Sequence, residues 1–118
     1  MNLASKTSVL IVEDDRSARV AIARLLGRAG YAVSEATTVA EAQQALSPPP
    51  SWILLDLMLP DGCGIDVLQT VKAQRLPSKV CIVTGCSSGL VNEAERAGAE
   101  HTFIKPLNVE RLMLVLSG

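Results

Sequence analysis

The chain has 118 residues, and its 11 Lys and Arg residues against 12 Asp and Glu residues give a formal net charge of −1 at pH 7. This length fits one domain, and the balanced charge provides neither a basic field for nucleic acid nor a polybasic segment for a membrane surface. No apolar run approaches the ~20 residues of a membrane span, and the N-terminal residues lack the apolar stretch of a secretory signal. We therefore predict one cytoplasmic domain over residues 1–118, with a flexible segment at residues 1–7, no membrane contact and no direct binding to nucleic acid.

The three cysteines do not form a disulfide or zinc motif. Cys63, Cys81 and Cys86 are odd in number, include no C-x-x-C pair, and are accompanied by a single histidine, His101. Neither a disulfide framework nor a zinc site is indicated by such a set. We interpret the cysteines as small reduced side chains, which fits the cytoplasm.

Five short runs with many apolar residues recur at broadly regular intervals along the chain. Each has the length of a strand rather than that of a helix. The predicted strands are, in chain order, residues 9–12, 32–35, 52–55, 80–83 and 102–104. The second run is the weakest and ends in polar residues, so we place it at an edge of the sheet.

Segments with helical periodicity fill the intervals between these strands and follow the last one. They begin, in chain order, near residues 16, 39, 65, 88 and 108. Gly30 and Gly98 end the first and fourth helices, because glycine tolerates a left-handed backbone. The second helix, over residues 39–46, has Thr38 as its predicted cap and stops before the prolines at 48–50. Four arginines of the first helix lie outside its apolar stripe, which indicates a solvated face: Arg16, Arg19, Arg24 and Arg28.

Buried strands that are separated by helices indicate a parallel sheet covered on both faces. The strict alternation of five strands and five helices predicts an α/β fold, with a doubly wound five-stranded parallel sheet, flavodoxin-like topology and strand order 2-1-3-4-5. Sheets of this kind bind ligands at the carboxyl ends of the strands, where the strand order reverses. In the predicted order this point lies between the first and third strands.

Polar side chains follow the predicted strands at the point where each strand ends. Glu13 and Asp14 follow the first strand, and Asp56 follows the third. Thr84 follows the fourth strand and Lys105 the fifth. Because these ends lie along one edge of a parallel sheet, we expect the carboxylates of Asp14 and Asp56 to converge. Clustered carboxylates stay ionised when they share a cation, and Mg2+ suits such oxygen ligands while leaving positions for phosphate oxygens.

This set of side chains predicts phosphoryl transfer. The Lys105 ammonium and the Thr84 hydroxyl can flank a phosphoryl group, and Asp56 is the best candidate nucleophile for an acyl phosphate. The same residues also have structural interpretations, since Asp15 can cap the first helix and Lys105 with Pro106 can form an ordinary turn. Their joint placement at one edge of the sheet favours the functional interpretation.

Four short motifs lie at the carboxyl ends of the predicted strands. They are Leu-Ile-Val-Glu-Asp-Asp at 10–15, Leu-Asp-Leu-Met-Leu-Pro-Asp-Gly at 55–62, Val-Thr-Gly at 83–85 and Phe-Ile-Lys-Pro at 103–106. In this order and spacing they resemble the receiver domain of bacterial two-component response regulators, over nearly the whole chain. The resemblance implies a signalling switch that requires Mg2+ and that catalyses only its own phosphorylation and dephosphorylation.

The resemblance also implies roles for individual positions around the metal. Asp56 matches the phosphoacceptor aspartate, which also binds the metal, and Asp14 matches the direct metal ligand. Glu13 matches the acidic partner that usually acts through water, and Met58 matches the residue whose backbone carbonyl binds the metal. Pro106 matches a proline whose preceding peptide is often cis in such domains.

The positions around the phosphoryl group match the family with one departure. Thr84 matches the hydroxyl that hydrogen-bonds the phosphoryl group, Lys105 the ammonium that pairs with it, and Gly85 the small residue that leaves it accessible. The family usually has Tyr or Phe three residues before the lysine, where this chain has Thr102. The neighbouring Phe103 is predicted to point to the opposite face of the sheet. The switch of this chain is therefore assigned to Thr84 and Thr102, without the usual aromatic side chain.

The resemblance implies a sensor histidine kinase or a phosphotransfer protein as the partner. Leu107, Leu114 and Val115 lie partly outside the apolar stripe of the last helix, where they can bind a second copy through the last two helices, bind a downstream domain, or make core contacts. The chain is accordingly either a stand-alone receiver or one followed by a C-terminal output domain outside this sequence. Two other functions stay open. One is a receiver-like binding module that works without phosphorylation. The other is a phosphatase of the haloacid dehalogenase type with an aspartyl-phosphate intermediate. That family has D-x-D after its first strand, whereas this chain has Asp56-Leu57-Met58 after its third.

Overall fold

The computed structural model describes residues 6–85 and 88–118. In chain order the elements are β1 (Ser8–Val12), α1 (Arg16–Arg28), β2 (Ala32–Ala36), α2 (Val39–Gln44), β3 (Trp52–Leu55), β4 (Met58–Leu59), β5 (Gly62–Cys63), α3 (Ile65–Ala73), β6 (Lys79–Thr84), α4 (Ser88–Arg96), β7 (His101–Ile104) and α5 (Val109–Ser117). Five strands form one sheet in the order β2-β1-β3-β6-β7, and all of their pairings are parallel. The predicted α/β fold and the order 2-1-3-4-5 are therefore confirmed, once β4 and β5 are set aside.

The strands β4 and β5 form a short antiparallel hairpin that the sequence interpretation missed. Met58 pairs with Cys63, and Leu59 pairs with Gly62. Each strand has only two residues, which is too short for a period of two to be recognised. The turn signal of Pro60-Asp61-Gly62 was the only indication of a hairpin in the sequence.

The sheet carries a hydrophobic core on each face. Successive side chains of a strand point to opposite faces, so Leu10 and Val12 pack with the side of α2, α3 and α4, while Val9 and Ile11 pack with the side of α1 and α5. Both faces of β1 and β3 are buried, and these strands are accordingly apolar without alternation. The edge strand β2 is mostly exposed, as its polar residues predicted.

Local chemistry sets the ends of the helices that flank the site. The Thr38 hydroxyl accepts a hydrogen bond from the Glu41 N–H at 3.0 Å and caps α2, as predicted. The helix α2 ends at Gln44, two residues before the predicted end, and Leu46 beyond it packs in the core with 5% exposure. Gly30 has a φ of 97°, the left-handed conformation that ends α1.

The amino end of the sheet is a packed region that has no acidic cluster among the described residues. Trp52 opens β3 there and is 7% exposed. Its ring centroid lies 6.2 Å from that of His101, and the Lys79 ammonium lies 5.3 Å from the Trp52 ring. Packing against neighbouring strand ends therefore accounts for the only tryptophan of the chain.

Two of the three cysteines lie in the described part of the chain, and neither forms a disulfide. Cys63 is half-buried and Cys81 is buried, and burial raises the pKa of the Cys81 thiol to about 12. Cys86 and residues 1–5 lie outside the described residues. No helix in the described ranges has the length and apolar character needed to cross a membrane.

Candidate functional site

Three carboxylates meet at the carboxyl end of the sheet. Glu13 and Asp14 follow β1, Asp56 follows the neighbouring strand β3, and the Asp56 N–H donates to the Val12 carbonyl at 3.0 Å. One oxygen atom from each of the three carboxylates lies within 4.8 Å of the others. The convergence expected for Asp14 and Asp56 is therefore present in the structure, and Glu13 joins them.

The carboxylates differ in their exposure. Glu13 is 4% exposed and Asp56 is 6% exposed, whereas Asp14 faces solvent. Burial and the charge of Asp56 raise the pKa of Glu13, although hydrogen bonds from Lys105 and the Asp15 N–H act in the other direction. Burial and the neighbouring Asp56 charge therefore disfavour the ionised form of Glu13.

Lys105 connects the cluster to the end of β7. Its ammonium donates to Glu13 Oε1 at 2.6 Å and to Asp56 Oδ2 at 3.0 Å. Burial alone would lower the pKa of Lys105, but the hydrogen bonds to Glu13 and Asp56 outweigh burial and raise this pKa. The lysine is therefore held protonated. One ammonium against three ionised carboxylates leaves two negative charges, which a divalent cation would neutralise.

The donor set fits Mg2+. Three carboxylate groups offer the hard oxygen ligands that this ion prefers, and the exposed Asp14 leaves the cluster open to solvent. Hard cations keep several waters when they bind one or two carboxylates, so the open side suits the remaining coordination positions. Among the described residues, this is the one group of acidic, histidine or cysteine side chains with such spacing.

The backbone around Asp56 is held by short-range contacts. The Met58 N–H donates to Asp56 Oδ1 at 3.1 Å, and the Gly64 N–H donates to the Leu57 carbonyl at 2.9 Å. A Cβ atom at Gly64 would overlap the carbonyl oxygen of Asp56. Glycine at 64 therefore lets the start of α3 approach the backbone of the candidate phosphoacceptor, a requirement that the sequence interpretation missed.

Asp61 ties the hairpin to the neighbouring helix. Its two carboxylate oxygens accept hydrogen bonds from the Val39 N–H at 2.7 Å and the Ala40 N–H at 3.1 Å, at the start of α2. These bonds lower the pKa of Asp61. The turn at residues 60–62 thus anchors the loop after β3, while the Met58 side chain stays 61% exposed at the rim of the site.

Thr84 and Thr102 lie on the two strands beside the acidic cluster. Thr84 ends β6 and is fully buried, and its carbonyl accepts a hydrogen bond from the Lys105 N–H at 2.9 Å. Thr102 is paired with Ile82, which lies two residues before Thr84 and therefore on the same face of the sheet. Its hydroxyl oxygen is buried and has no hydrogen-bond partner among the described residues. Phe103 packs in the opposite core, as predicted.

Two smaller predictions concern the rim. Gly85 is exposed, and an added Cβ atom there would contact nothing within 4 Å, so the position is open. The peptide between Lys105 and Pro106 is cis, as is the peptide between Ser47 and Pro48.

Arg19 is the clearest residue that the sequence interpretation assigned wrongly. A solvated face was expected, but the Arg19 side chain is only 14% exposed. Its guanidinium donates to Glu35 Oε1 at 2.9 Å and to the Glu13 carbonyl at 3.1 Å. Nothing in the spacing of the α1 arginines separates Arg19 from the others, since its acceptors lie on β2 and in the β1–α1 loop.

A family model and the relatives found by sequence comparison indicate the same family. The family model of the response regulator receiver domain matches residues 9–117. The acid tolerance regulatory protein ActR of Rhizobium meliloti is 32% identical over 111 residues, which cover 92% of this chain and 57% of that protein. The chain thus spans little more than half the length of this relative.

Solved structures agree with the sequence matches. A response regulator receiver domain protein (CheY-like) from Methanospirillum hungatei has a TM-score of 0.90 and 29% identity, over 96% of this chain and 92% of that one. A response regulator protein from Burkholderia pseudomallei has a TM-score of 0.85 and 26% identity, over 94% of this chain and 66% of that one. The latter structure contains a phosphorylated aspartic acid and a calcium ion.

Proposed function

Because this chain belongs to the response regulator receiver domains, we propose that Asp56 accepts a phosphoryl group in a Mg2+-dependent reaction and that the modification switches a signalling surface. The observation that carries this proposal is the cluster itself, in which the Asp56 carboxylate meets two further carboxylates and the Lys105 ammonium. The phosphorylated aspartic acid of the Burkholderia pseudomallei relative supports it.

The proposed donor is a phosphohistidine of a sensor histidine kinase or of a phosphotransfer protein. An Asp56 carboxylate oxygen forms the new O–P bond while the N–P bond to the donor imidazole breaks, and the imidazole leaves with the bonding electron pair. The Lys105 ammonium, already 3.0 Å from Asp56 Oδ2, stabilises the charge on the phosphoryl oxygens. The Thr84 hydroxyl at the end of β6 serves as a further hydrogen-bond donor to the same group.

Four residues would hold the metal: Glu13, Asp14 and Asp56 through their carboxylates, and Met58 through its backbone carbonyl. When bound, Mg2+ supplies positive charge to the phosphoryl oxygens and neutralises the clustered carboxylates. Glu13 keeps its hydrogen bond to Lys105, which orients the ammonium toward Asp56. The exposed Asp14 leaves the cluster accessible to a cation from solvent.

The proposed switch uses Thr84 and Thr102 on the α4 side of the sheet. Movement of the Thr84 hydroxyl toward the phosphoryl group changes the packing beside Thr102, whose buried hydroxyl has no partner in the described ranges. This change is transmitted to the surface formed by α4, β7 and α5, where Ile104 and Leu114 are exposed. A second copy of the chain would bind through α4 and α5, and a C-terminal output domain in the full protein would read the same surface.

We place residues 1–118 in one receiver domain of a cytoplasmic regulator, whose chemistry is confined to its own phosphorylation and dephosphorylation. Relatives such as ActR extend beyond the matched region, which supports an output domain in the full protein. The proposed regulator binds its kinase rather than a membrane or nucleic acid through this domain.

The experiment uses the full chain with Mg2+ and acetyl phosphate, and it measures the intact mass and locates the modified residue by tandem mass spectrometry. We expect the mass of one phosphoryl group on Asp56, lost in Asp56→Asn and in the presence of EDTA. The matched control is Asp66→Asn, since Asp66 is an exposed aspartate in the first turn of α3, and it should be modified like the wild type. Modification at another residue would contradict the assignment of Asp56.

A second candidate is a receiver-like binding module that works without phosphorylation, and the observation that favours it is Thr102 at the position of the usual aromatic residue. It predicts a folded chain that stays unmodified in the same experiment. Turnover of an external phosphate ester would instead favour the phosphatase.

A further inference from the structure

We propose that Arg19 and Glu35 form a positioning pair for the cation site, in which Arg19 holds the backbone of Glu13 and Asp14 so that their carboxylates face Asp56. This inference rests on the proposed function only in so far as the acidic cluster binds Mg2+. It assigns a role to Arg19 of α1 and to Glu35 of the edge strand β2, both of which lie outside the acidic cluster.

The contacts of Arg19 form a fork across three segments. Its Nε donates to Glu35 Oε1 on β2 at 2.9 Å, and its Nη1 donates to the Glu13 carbonyl at 3.1 Å, with a longer contact of 3.5 Å to the Asp14 carbonyl. Because the guanidinium is planar, the bond to Glu35 fixes the direction in which the other nitrogen points. With a side chain only 14% exposed, Arg19 is held in this geometry.

Arg19 supports the loop between β1 and α1 at its centre, beside the bond of 3.1 Å that the Asp15 N–H donates to Glu13 Oε2. One end is held by the Glu13 N–H, which donates to the Ala36 carbonyl at 3.0 Å. The other end is held by Asp15, whose carboxylate accepts from the Ala18 N–H at 2.8 Å and caps α1. Arg19 contacts the two carbonyls between these ends, so it fixes the peptide that sets the directions of the Glu13 and Asp14 side chains.

The sign of its effect separates a positioning role from a charge effect. A guanidinium beside a cation site repels Mg2+, so the removal of a residue that acted only by its charge would tighten Mg2+ binding. Loss of a residue that orients the ligands weakens binding, and outer contacts of this kind typically change metal affinity by about 10–100-fold. The two effects therefore act in opposite directions in the same variant.

The test measures Mg2+ affinity of the full chain by isothermal titration calorimetry, without a phosphodonor. We expect Arg19→Gln and Glu35→Gln to weaken Mg2+ binding by about 10-fold, and Arg19→Lys to weaken it as well, because an ammonium lacks the fork. The control Arg16→Gln removes the same charge from the first residue of α1, whose side chain makes no hydrogen bond or ion pair to the described residues. It should leave Mg2+ affinity unchanged or raise it.

Affinity in both Arg19→Gln and Glu35→Gln equal to or tighter than that of the wild type would overturn the inference. Circular dichroism checks folding, and if Arg19→Gln fails to fold, Arg19→Lys carries the test, because it keeps the positive charge and removes the fork. A wild-type chain that binds Mg2+ but is not phosphorylated would contradict the proposed function and leave this inference standing. A wild-type chain that does not bind Mg2+ would overturn both.

Discussion

Glu13 at the carboxyl end of the sheet and Glu100 at its amino end both accept a hydrogen bond from a lysine. The Lys105 ammonium lies 2.6 Å from Glu13 Oε1, and the Lys72 ammonium lies 2.9 Å from Glu100 Oε2. Burial and the nearby Asp56 charge raise the pKa of Glu13. Burial also opposes ionisation of Glu100, but hydrogen bonds from the Val80 N–H and from Lys72 outweigh it and lower the pKa of Glu100.

The difference between the two ends lies in how many negative charges share each lysine. At the amino end one carboxylate has a lysine and a backbone N–H, so its ionised form stabilises the fold. At the carboxyl end Glu13 and Asp56 share one lysine and the Asp14 carboxylate lies beside them, so the clustered charges repel one another until a cation is added. Stability and ligand binding are thus supported at opposite ends of the same strands, as expected where a binding site lowers stability.

The largest expected effect comes from Gly64, which lies against the backbone of Asp56. In Gly64→Ala the new Cβ atom would overlap the Asp56 carbonyl, and separating them should lower the free energy of unfolding by about 3 kcal/mol. The control Gly27→Ala lies in α1 with nothing within 4 Å of its Cβ atom and should raise stability by about 1 kcal/mol. Urea denaturation measures both, and equal stabilities would contradict this account of Gly64.

Glu100→Ala tests the amino end and should lower the free energy of unfolding by about 2 kcal/mol, because the buried Val80 N–H loses a charge-assisted hydrogen bond. Since the folded pKa of Glu100 lies below the ordinary 4.5, its contribution is full above that pH and is lost as the pH falls through the folded pKa.

The measurement compares urea unfolding of wild type and Glu100→Ala between neutral pH and the acid range. The control is Glu95→Ala, at an exposed position of α4. A difference between wild type and Glu100→Ala that persists unchanged in acid would show that ionisation of Glu100 is not the source.

Asp14→Asn tests the carboxyl end of the sheet and should raise the free energy of unfolding, whereas Glu100→Ala lowers it. Removing one charge from three clustered carboxylates relieves repulsion, so we expect the free energy of unfolding in EDTA to rise by about 1 kcal/mol. The variant should also lose the stabilisation that Mg2+ gives the wild type, which thermal unfolding with and without Mg2+ measures. Neutralising Asp66 in the first turn of α3 should lower stability slightly, by about 0.5 kcal/mol. A destabilised Asp14→Asn in EDTA would contradict the repulsion at this site.

The smallest effect is expected at Thr102, on the strand beside the site. Thr102→Val keeps the shape of the side chain and removes a buried hydroxyl that has no partner among the described residues, so stability should rise by up to about 1 kcal/mol. The control Thr70→Val removes a hydroxyl that donates to the Asp66 carbonyl at 3.0 Å and accepts from Gln43 at 3.2 Å, and it should lower stability. Thermal unfolding distinguishes the two signs, and a loss of stability in Thr102→Val would point to a hydrogen bond of this hydroxyl in solution.

The sheet could be predicted because each strand is marked by a short run of neighbouring apolar residues. The run at 52–55 coincides with β3, and the run at 80–83 lies within β6, since strands buried on both faces are apolar without interruption. The site followed from topology, because a parallel sheet brings its strand ends to one edge whatever the sequence between them. Residues such as Asp14 and Asp56 were therefore found by their position after a strand.

The contacts that support the site could not be found in this way. Arg19, Asp61 and Gly64 act on backbone groups that are distant in sequence or that depend on the path of a loop, and no periodicity records such contacts. The turn at Pro60-Asp61-Gly62 was visible as a turn signal, but its acceptor role toward α2 depends on how the hairpin is placed against that helix. Local patterns specify elements, whereas side-chain to backbone bonds require the assembled fold.

The position of Trp52 has a practical consequence for spectroscopy. The only indole of the chain is buried at the amino end of β3, and four steps along the strand, of about 3.3 Å each, separate it from Asp56. Its fluorescence should respond to global unfolding while remaining silent toward ion binding at the opposite rim. Trp52 emission therefore measures unfolding of the chain without a contribution from ion binding.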